Sequence, residues 1–290
     1  MTAIYKRELR SYFGGMIAYI VIALMLAFVG FVSAIFNFFG GIAFFEYVFA
    51  EGYVIMAMII AISLLTMRSF ADEKKEKTDQ LLYSLPLKMS SIVMGKYLAM
   101  LTVYLIPMLI MCLYPLVLSL FGNINFLQTY SSVFAQILLG AALISIGMFL
   151  SSLTETQVIA AVMTIGTFLA VYFMPTIAAT FFPETAKASF ICFIFLIGVV
   201  ALIVYALTKN LYAAFGTAIV LELANLLIYL FKADIYAGAF PDMLDKISLF
   251  NRFGEFVNGS FDLTAVIYYL SVIGVFVFLT VQSLEKKRYS

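Results

Sequence analysis

Few side chains in this sequence are equipped for chemistry. Histidine is absent, which removes the commonest general base and the commonest metal ligand. Cys112 and Cys192 both lie inside apolar runs, whereas a disulfide framework or a Cys-based zinc site needs polar loops and closer spacing. No G-x-x-x-x-G-K-[ST] occurs; Gly95-Lys96 lacks the upstream glycine and the hydroxyl residue that complete a phosphate cradle. A G-x-G-x-x-G is missing as well. No catalytic, cofactor-binding or metal-binding set is legible, and if the chain serves a pump, its ATP site belongs to another chain.

The informative polar residues are those set in apolar surroundings. Glu222 stands in the middle of the run 211–231, and Asn225 follows three residues on, so both project from one helical face. That pair suits a substrate, proton or gating contact, or equally a hydrogen-bonded carboxyl joining two helices. Glu51 lies near an end of its run, within reach of water. Gly140, Ile144, Gly147 and Ser151 fall on one helical stripe, and small residues at that spacing let helices approach closely. The stripe reads as a packing face, with a conduit lining as the alternative.

Composition says what must carry these residues. Of 290 residues 64% are hydrophobic and 11% charged, with a mean hydropathy of +1.09; soluble domains run at about 45–50% and about 25%. No globule of this size can bury that much apolar side chain, so the excess faces lipid. The expected fold is an all-α polytopic membrane protein. A net charge of +1 offers no basic field for nucleic acid. Spanning helices need roughly 20 apolar residues, and eight runs qualify: 16–38, 47–67, 97–121, 132–153, 158–182, 188–208, 211–231 and 264–284. Very short links join the fifth, sixth and seventh, so one pair could form a re-entrant hairpin. The expectation is six to eight spans, with eight favoured. In such a setting an acidic residue at a helix centre costs about 2.5–3.5 kcal/mol, which singles out Glu222. Pro107 and Pro115 are expected to kink the third span and Pro175 the fifth.

Lys and Arg in the loops orient the chain. With a cytoplasmic N-terminus and eight crossings, thirteen of the seventeen basic residues fall inside. Both termini are then cytoplasmic. Three segments do not span. Residues 1–15 read as an interfacial helix, with Tyr5, Leu9, Tyr12 and Phe13 on one face, Lys6 and Arg10 on another, and Gly14-Gly15 as the bend. Residues 68–96 form the long cytoplasmic loop, a charge cluster followed by Leu81, Leu82 and Leu85. An amphipathic helix over 73–85 is expected there, with Ser90 or Ser91 capping the next helix. A charged collar around a leucine pair suits docking into another protein's groove. Residues 232–263 form an extracytoplasmic segment with a short interfacial helix and a turn at Asn258-Gly259-Ser260.

Four islands carry a family likeness: KRELRSYFGGMIAYI at 6–20, LLTMRSFADEKKEKTDQLLYSLPLKMSSIVMGKYLAM at 64–100, GMFLSSLTETQVIAAV at 147–162, and FGEFVNGSFDLTAVIYYLSVIGVFVFLTVQSLEKKR at 253–288. On them the chain resembles the type-2 ABC exporter permeases, in the branch that includes gliding-motility and nitrous-oxide-reductase maturation permeases. The resemblance implies one permease domain over 1–290 in a bacterial cytoplasmic membrane. It implies a second permease copy or a homologous permease, two cytoplasmic ATPase subunits that bind ATP and magnesium, and room for an extracytoplasmic auxiliary protein. It carries the ATPase-docking role to Lys6, Arg7, Glu8 and Arg10, and to Asp72, Glu73, Lys74, Thr78, Asp79, Gln80, Leu81 and Leu82. Thr154, Glu155 and Gln157 make a second turn expected to touch the ATPase. Two departures stand out: Lys77 where the family tends to have glycine, and Gly14-Gly15 where it has Ser-Pro.

Two rival functions fit the same residues. One is an ion-coupled secondary carrier using Glu222 as its proton site, weakened by the lack of visible inverted repeats and of other intramembrane ionisable groups. The other is a non-transporting anchor or force transmitter for an extracytoplasmic partner.

Overall fold

The computed structural model describes residues 2–41, 44–77, 88–181 and 185–289. Every regular element among them is helical. In hydrocarbon each backbone N–H and C=O must be satisfied internally, and a helix does this within one segment. Six helices are long and apolar enough to cross a membrane: Ile17–Phe39, Gly52–Lys75, Met89–Leu118, Phe126–Leu153, Gln157–Ala178 and Leu263–Lys286. The two remaining runs are also helical, with shorter apolar stretches at Ala186–Leu202 and Phe215–Phe231.

In chain order the helices are α1 (Thr2–Gly14), α2 (Ile17–Ser33), α3 (Glu46–Ala50), α4 (Gly52–Thr66), α5 (Arg68–Lys75), α6 (Met89–Met111) and α7 (Tyr114–Leu118). They continue with α8 (Phe126–Leu153), α9 (Gln157–Phe181), α10 (Ala186–Thr208), α11 (Leu211–Phe231), α12 (Ala239–Ile247), α13 (Leu249–Val257) and α14 (Leu263–Tyr289). A π-helical turn, Ala34–Phe39, extends α2, and a 3₁₀ turn, Ala233–Tyr236, follows α11. The helices divide into two compact units, one of residues 1–170 and 252–290, the other of residues 171–251.

In the first unit α8 is the inner helix, packed against α4, α6 and α14. Its small residues make that possible. A Cβ on Gly140 would sit 2.2 Å from Tyr104 Cζ of α6, and one on Gly147 would sit 2.5 Å from Thr66 Oγ1 of α4. Ile144 and Ser151 of the same stripe are fully buried. Tyr104 spends its hydroxyl proton on the Gln136 carbonyl, 2.8 Å away, so the large ring can be buried without an orphaned donor.

Several boundaries differ from expectation. Pro115 does not kink a continuous helix: α6 ends at Met111, and Pro115 stands in the first turn of α7, where its missing N–H removes no helical bond. Pro107 and Pro175 lie inside α6 and α9. Helix α6 begins at Met89, so Ser90 and Ser91 fall in its first turn. Lys88 takes the cap position without a side-chain hydrogen bond. Helix α5 stops at Lys75 rather than running through 73–85. Thr78, Asp79, Gln80, Leu81 and Leu82 lie outside the described residues.

In the second unit α10 and α11 form an antiparallel-style hairpin over a minimal link. Lys209 takes a left-handed φ of 51° and its N–H closes on the Tyr205 carbonyl, the usual way to end a helix abruptly. Further along, within the first unit, Gly259 has φ +87° in the turn at 258–260. Asp262 then caps α14, accepting from the Thr264 and Ala265 N–H groups at 2.8 and 3.2 Å. Those amides hold its carboxyl below the ordinary value.

Candidate functional site

Three of the residues expected to dock a partner, Arg7, Glu8 and Glu73, converge in the first unit around a lysine absent from the expected set. Ile92, Val93, Lys96, Met100 and Val103 make the buried face of α6, and Lys96 is 2% exposed. An ammonium group has three donors, and Lys96 Nζ has three acceptors: the Ser69 carbonyl at 2.8 Å, Glu73 Oε1 at 3.0 Å and Glu8 Oε1 at 3.2 Å. It also lies 5.1 Å from the centre of the Phe70 ring. Arg7 reaches the same two carboxylate oxygens, Glu73 at 2.8 Å and Glu8 at 3.1 Å. Two cations and two anions therefore alternate, and they come from α1, α5 and α6. Left unpaired, the buried Lys96 ammonium would cost several kcal/mol, whereas Arg7 stands at the exposed edge of the group.

Neutral bonds hold the same segments together. Tyr12 of α1 donates to the Leu65 carbonyl of α4 at 3.2 Å; burial, reinforced by the Glu8 carboxylate, pushes its hydroxyl well above the ordinary tyrosine value and keeps it a donor. Tyr5 bonds Thr102 at 3.0 Å. Ser151, from the far end of α8, accepts from the Phe70 and Ala71 N–H groups at 3.2 and 3.3 Å and reaches the Met67 carbonyl at 3.3 Å. Lys74 donates to the Ser152 carbonyl and to the Thr154 carbonyl, the latter at 3.0 Å. Arg68 pairs with Asp72 one turn on, at 2.5 Å. Lys6, Arg10 and Glu155 are exposed and Gln157 is half-buried. The result is a braced platform with charged side chains around it, able to transmit a displacement of α1 or α5 into α4, α6 and α8.

A model of the ABC-2 family of transporter proteins matches residues 41–281. The chain belongs to the ABC-2 transporter family. Neither a curated protein nor a solved structure matches it. As an ABC-2 protein it is a multi-pass membrane permease component of an ABC transporter. The matched residues include α5, α6 and the 152–157 turn, whereas α1 precedes them.

Of the permease's expected docking residues, the structure brings Arg7, Glu8 and Glu73 into one ion network with Lys96, ties Lys74 to the Thr154 carbonyl, and pairs Asp72 with Arg68. Lys96 was missed because it adjoins a charged loop and reads as its last residue. The signal was available: its spacing from Ile92, Val93, Met100 and Val103 puts it on the apolar face of a helix.

Lys77 adopts a backbone conformation for which glycine is the usual residue. It sits just past the end of α5 with φ 57°, and its N–H bonds the Lys74 carbonyl at 3.1 Å. A left-handed conformation costs an L-residue roughly 1–2 kcal/mol, a cost that glycine escapes. Lys77→Gly is therefore expected to stabilise the α5 terminus by about 1 kcal/mol, read as slower hydrogen exchange of the 72–77 amides. Faster exchange would refute the strain.

The Glu222–Asn225 pair lies in the second unit. Asn225 is buried and Glu222 half-buried. Asn225 Nδ2 donates to Glu222 Oε2 at 3.4 Å, and Tyr236 donates to Asn225 Oδ1 at 2.5 Å, also approaching the Asn225 carbonyl at 3.1 Å. Phe190 and Tyr229 stack at 4.5 Å beside Tyr236. Tyr236, in a polar connecting segment, was not legible from sequence as the third member. Burial and the Glu222 carboxylate raise its hydroxyl above the ordinary value, which favours the donor role. Among the described residues no group of three metal-ligating side chains is found.

Proposed function

We propose that this permease couples substrate export to ATP hydrolysis on a separate cytoplasmic ABC ATPase. Two ATPase subunits would bind ATP and magnesium and serve a pair of permeases, in a bacterial cytoplasmic membrane with both termini cytoplasmic. The likeness of its loops to gliding-motility and nitrous-oxide-reductase maturation permeases is the support for assigning it to that branch. The observation carrying the reading is the braced platform itself: α1, α5 and the 152–157 turn are tied to α6 and α8 through Lys96, Lys74 and Ser151. A push delivered there by a closing ATPase dimer would reach the core helices rather than be absorbed by a loose loop. Lys6, Arg10, Glu155 and residues 78–82 would meet the ATPase.

Co-purification tests the reading. The native permease is expected to bring down a stoichiometric ATPase. Replacing Leu81 and Leu82 together with Asp would put two charges into the docking groove, each costing more than a surface contact returns. That variant should insert normally yet lose the ATPase. Normal recovery and normal transport together would refute the docking assignment.

A further inference from the structure

The first unit contains a second polar feature, away from the charged platform, that coupling does not use. Glu46 opens the short helix α3 and is 1% exposed. Its Oε2 accepts from Thr129 Oγ1 of α8 at 3.0 Å, while its Oε1 is buried without a hydrogen-bond partner. Gln136, equally buried, places Nε2 3.0 Å from the Met58 sulfur, and its Oε1 is likewise buried without a partner. Thr129 and Gln136 are seven residues apart on α8, which is two turns of one helical face. The two orphaned acceptors thus lie along one buried face of α8, a seam two turns long.

The donors in that seam are already spent. A hydroxyl has one proton to give. Thr129 gives its proton to Glu46, Ser132 to the Thr129 carbonyl at 2.8 Å, and Tyr104 to the Gln136 carbonyl at 2.8 Å. Lysine and arginine cannot supply the deficit from the helices that pack on α3, because α2, α4 and α8 contain neither. Leaving a buried acceptor unmade costs about 1–3 kcal/mol, and more for a charged group. Such groups in folded proteins find ordered water when the site is polar and several partners converge. Here a carboxyl, an amide and three hydroxyls line the seam.

We propose that the seam holds ordered internal water, one molecule donating to Glu46 Oε1 and one to Gln136 Oε1. The permease then has a hydrated carboxyl buried between its first two spans. This site is independent of the ATPase reading and would stand if that reading failed.

Met58 reports on it, being fully buried and in contact with Gln136. The test is X-ray hydroxyl-radical footprinting of the full chain in lipid nanodiscs, where radicals form in place from bound water. Met58 should oxidise several-fold faster than Met100, Met108 and Met148, which are as deeply buried. Gln136→Leu removes the acceptor, and Met58 should then fall to the rate of those three. Wild-type Met58 oxidising no faster than Met100, Met108 and Met148 would overturn the proposal, whatever the variant does. A folded Gln136→Leu protein with unchanged Met58 oxidation would overturn it too.

Discussion

Lys96→Met is expected to cost the fold about 3–5 kcal/mol, the range for removing one partner from a buried ion network. The change keeps the stem's volume and apolar packing but deletes the three donors that reach Ser69, Glu8 and Glu73. Glu8 and Glu73 would then face each other with only Arg7 between them, and the Arg7 side chain is 60% exposed. Arg7→Ala, acting from that exposed position, should cost under about 1 kcal/mol. Unfolding titrations of the permease in mixed micelles would measure both. Adding Glu8→Gln to Lys96→Met should recover part of the loss, since it removes one of the uncompensated charges. Equal small effects for Lys96→Met and Arg7→Ala would mean the network is hydrated and contributes little. If the platform also couples to an ATPase, Lys96→Met should lower transport at temperatures where the protein remains folded.

The second large effect is steric. Gly140→Ala places a methyl group 2.2 Å from Tyr104 Cζ and 2.5 Å from Cε1, atoms of a ring that is fully buried and bonded to Gln136. The ring cannot swing aside, so α6 and α8 must separate, at about 1–3 kcal/mol. Gly166, in α9, is the control. Nothing lies within 4 Å of a Cβ there, and Gly→Ala in an open helix interior gains up to about 1 kcal/mol. The two substitutions should therefore differ in sign. Shrinking the neighbour tests the cause: Tyr104→Ala is itself destabilising, but Gly140→Ala added to it should cost little more. A Gly140→Ala penalty that persists unchanged in the Tyr104→Ala background would place the clash elsewhere.

Both predictions rest on features of unequal legibility. The stripe Gly140, Gly147 and Ser151 could be read as a helix face, because small residues at helical spacing in an apolar run admit few uses. What each glycine admits could not be read, since Tyr104 and Thr66 lie on other helices. Ser151 shows the same limit. Its position on the stripe was visible, but its bonds to the Phe70 and Ala71 N–H groups depend on where α5 ends up. Glu46 and Lys96 both sit beside apolar runs, where a charge ordinarily reads as a loop residue at the boundary. Both are buried instead.

The sequence by itself determined the solvent and the class. An apolar excess of this size has to face lipid, a backbone in lipid has to satisfy its own hydrogen bonds, and continuous apolar runs of about 20 residues do so as helices. The bend at Gly14-Gly15 and the turn at 258–260, where Gly259 takes a left-handed φ, were also local matters. The tertiary structure alone decided which charges are inside. Burial of Lys96 requires Glu8, Ser69 and Glu73 to arrive from segments distant in the chain, and an ionised group can leave water only where such partners are already positioned.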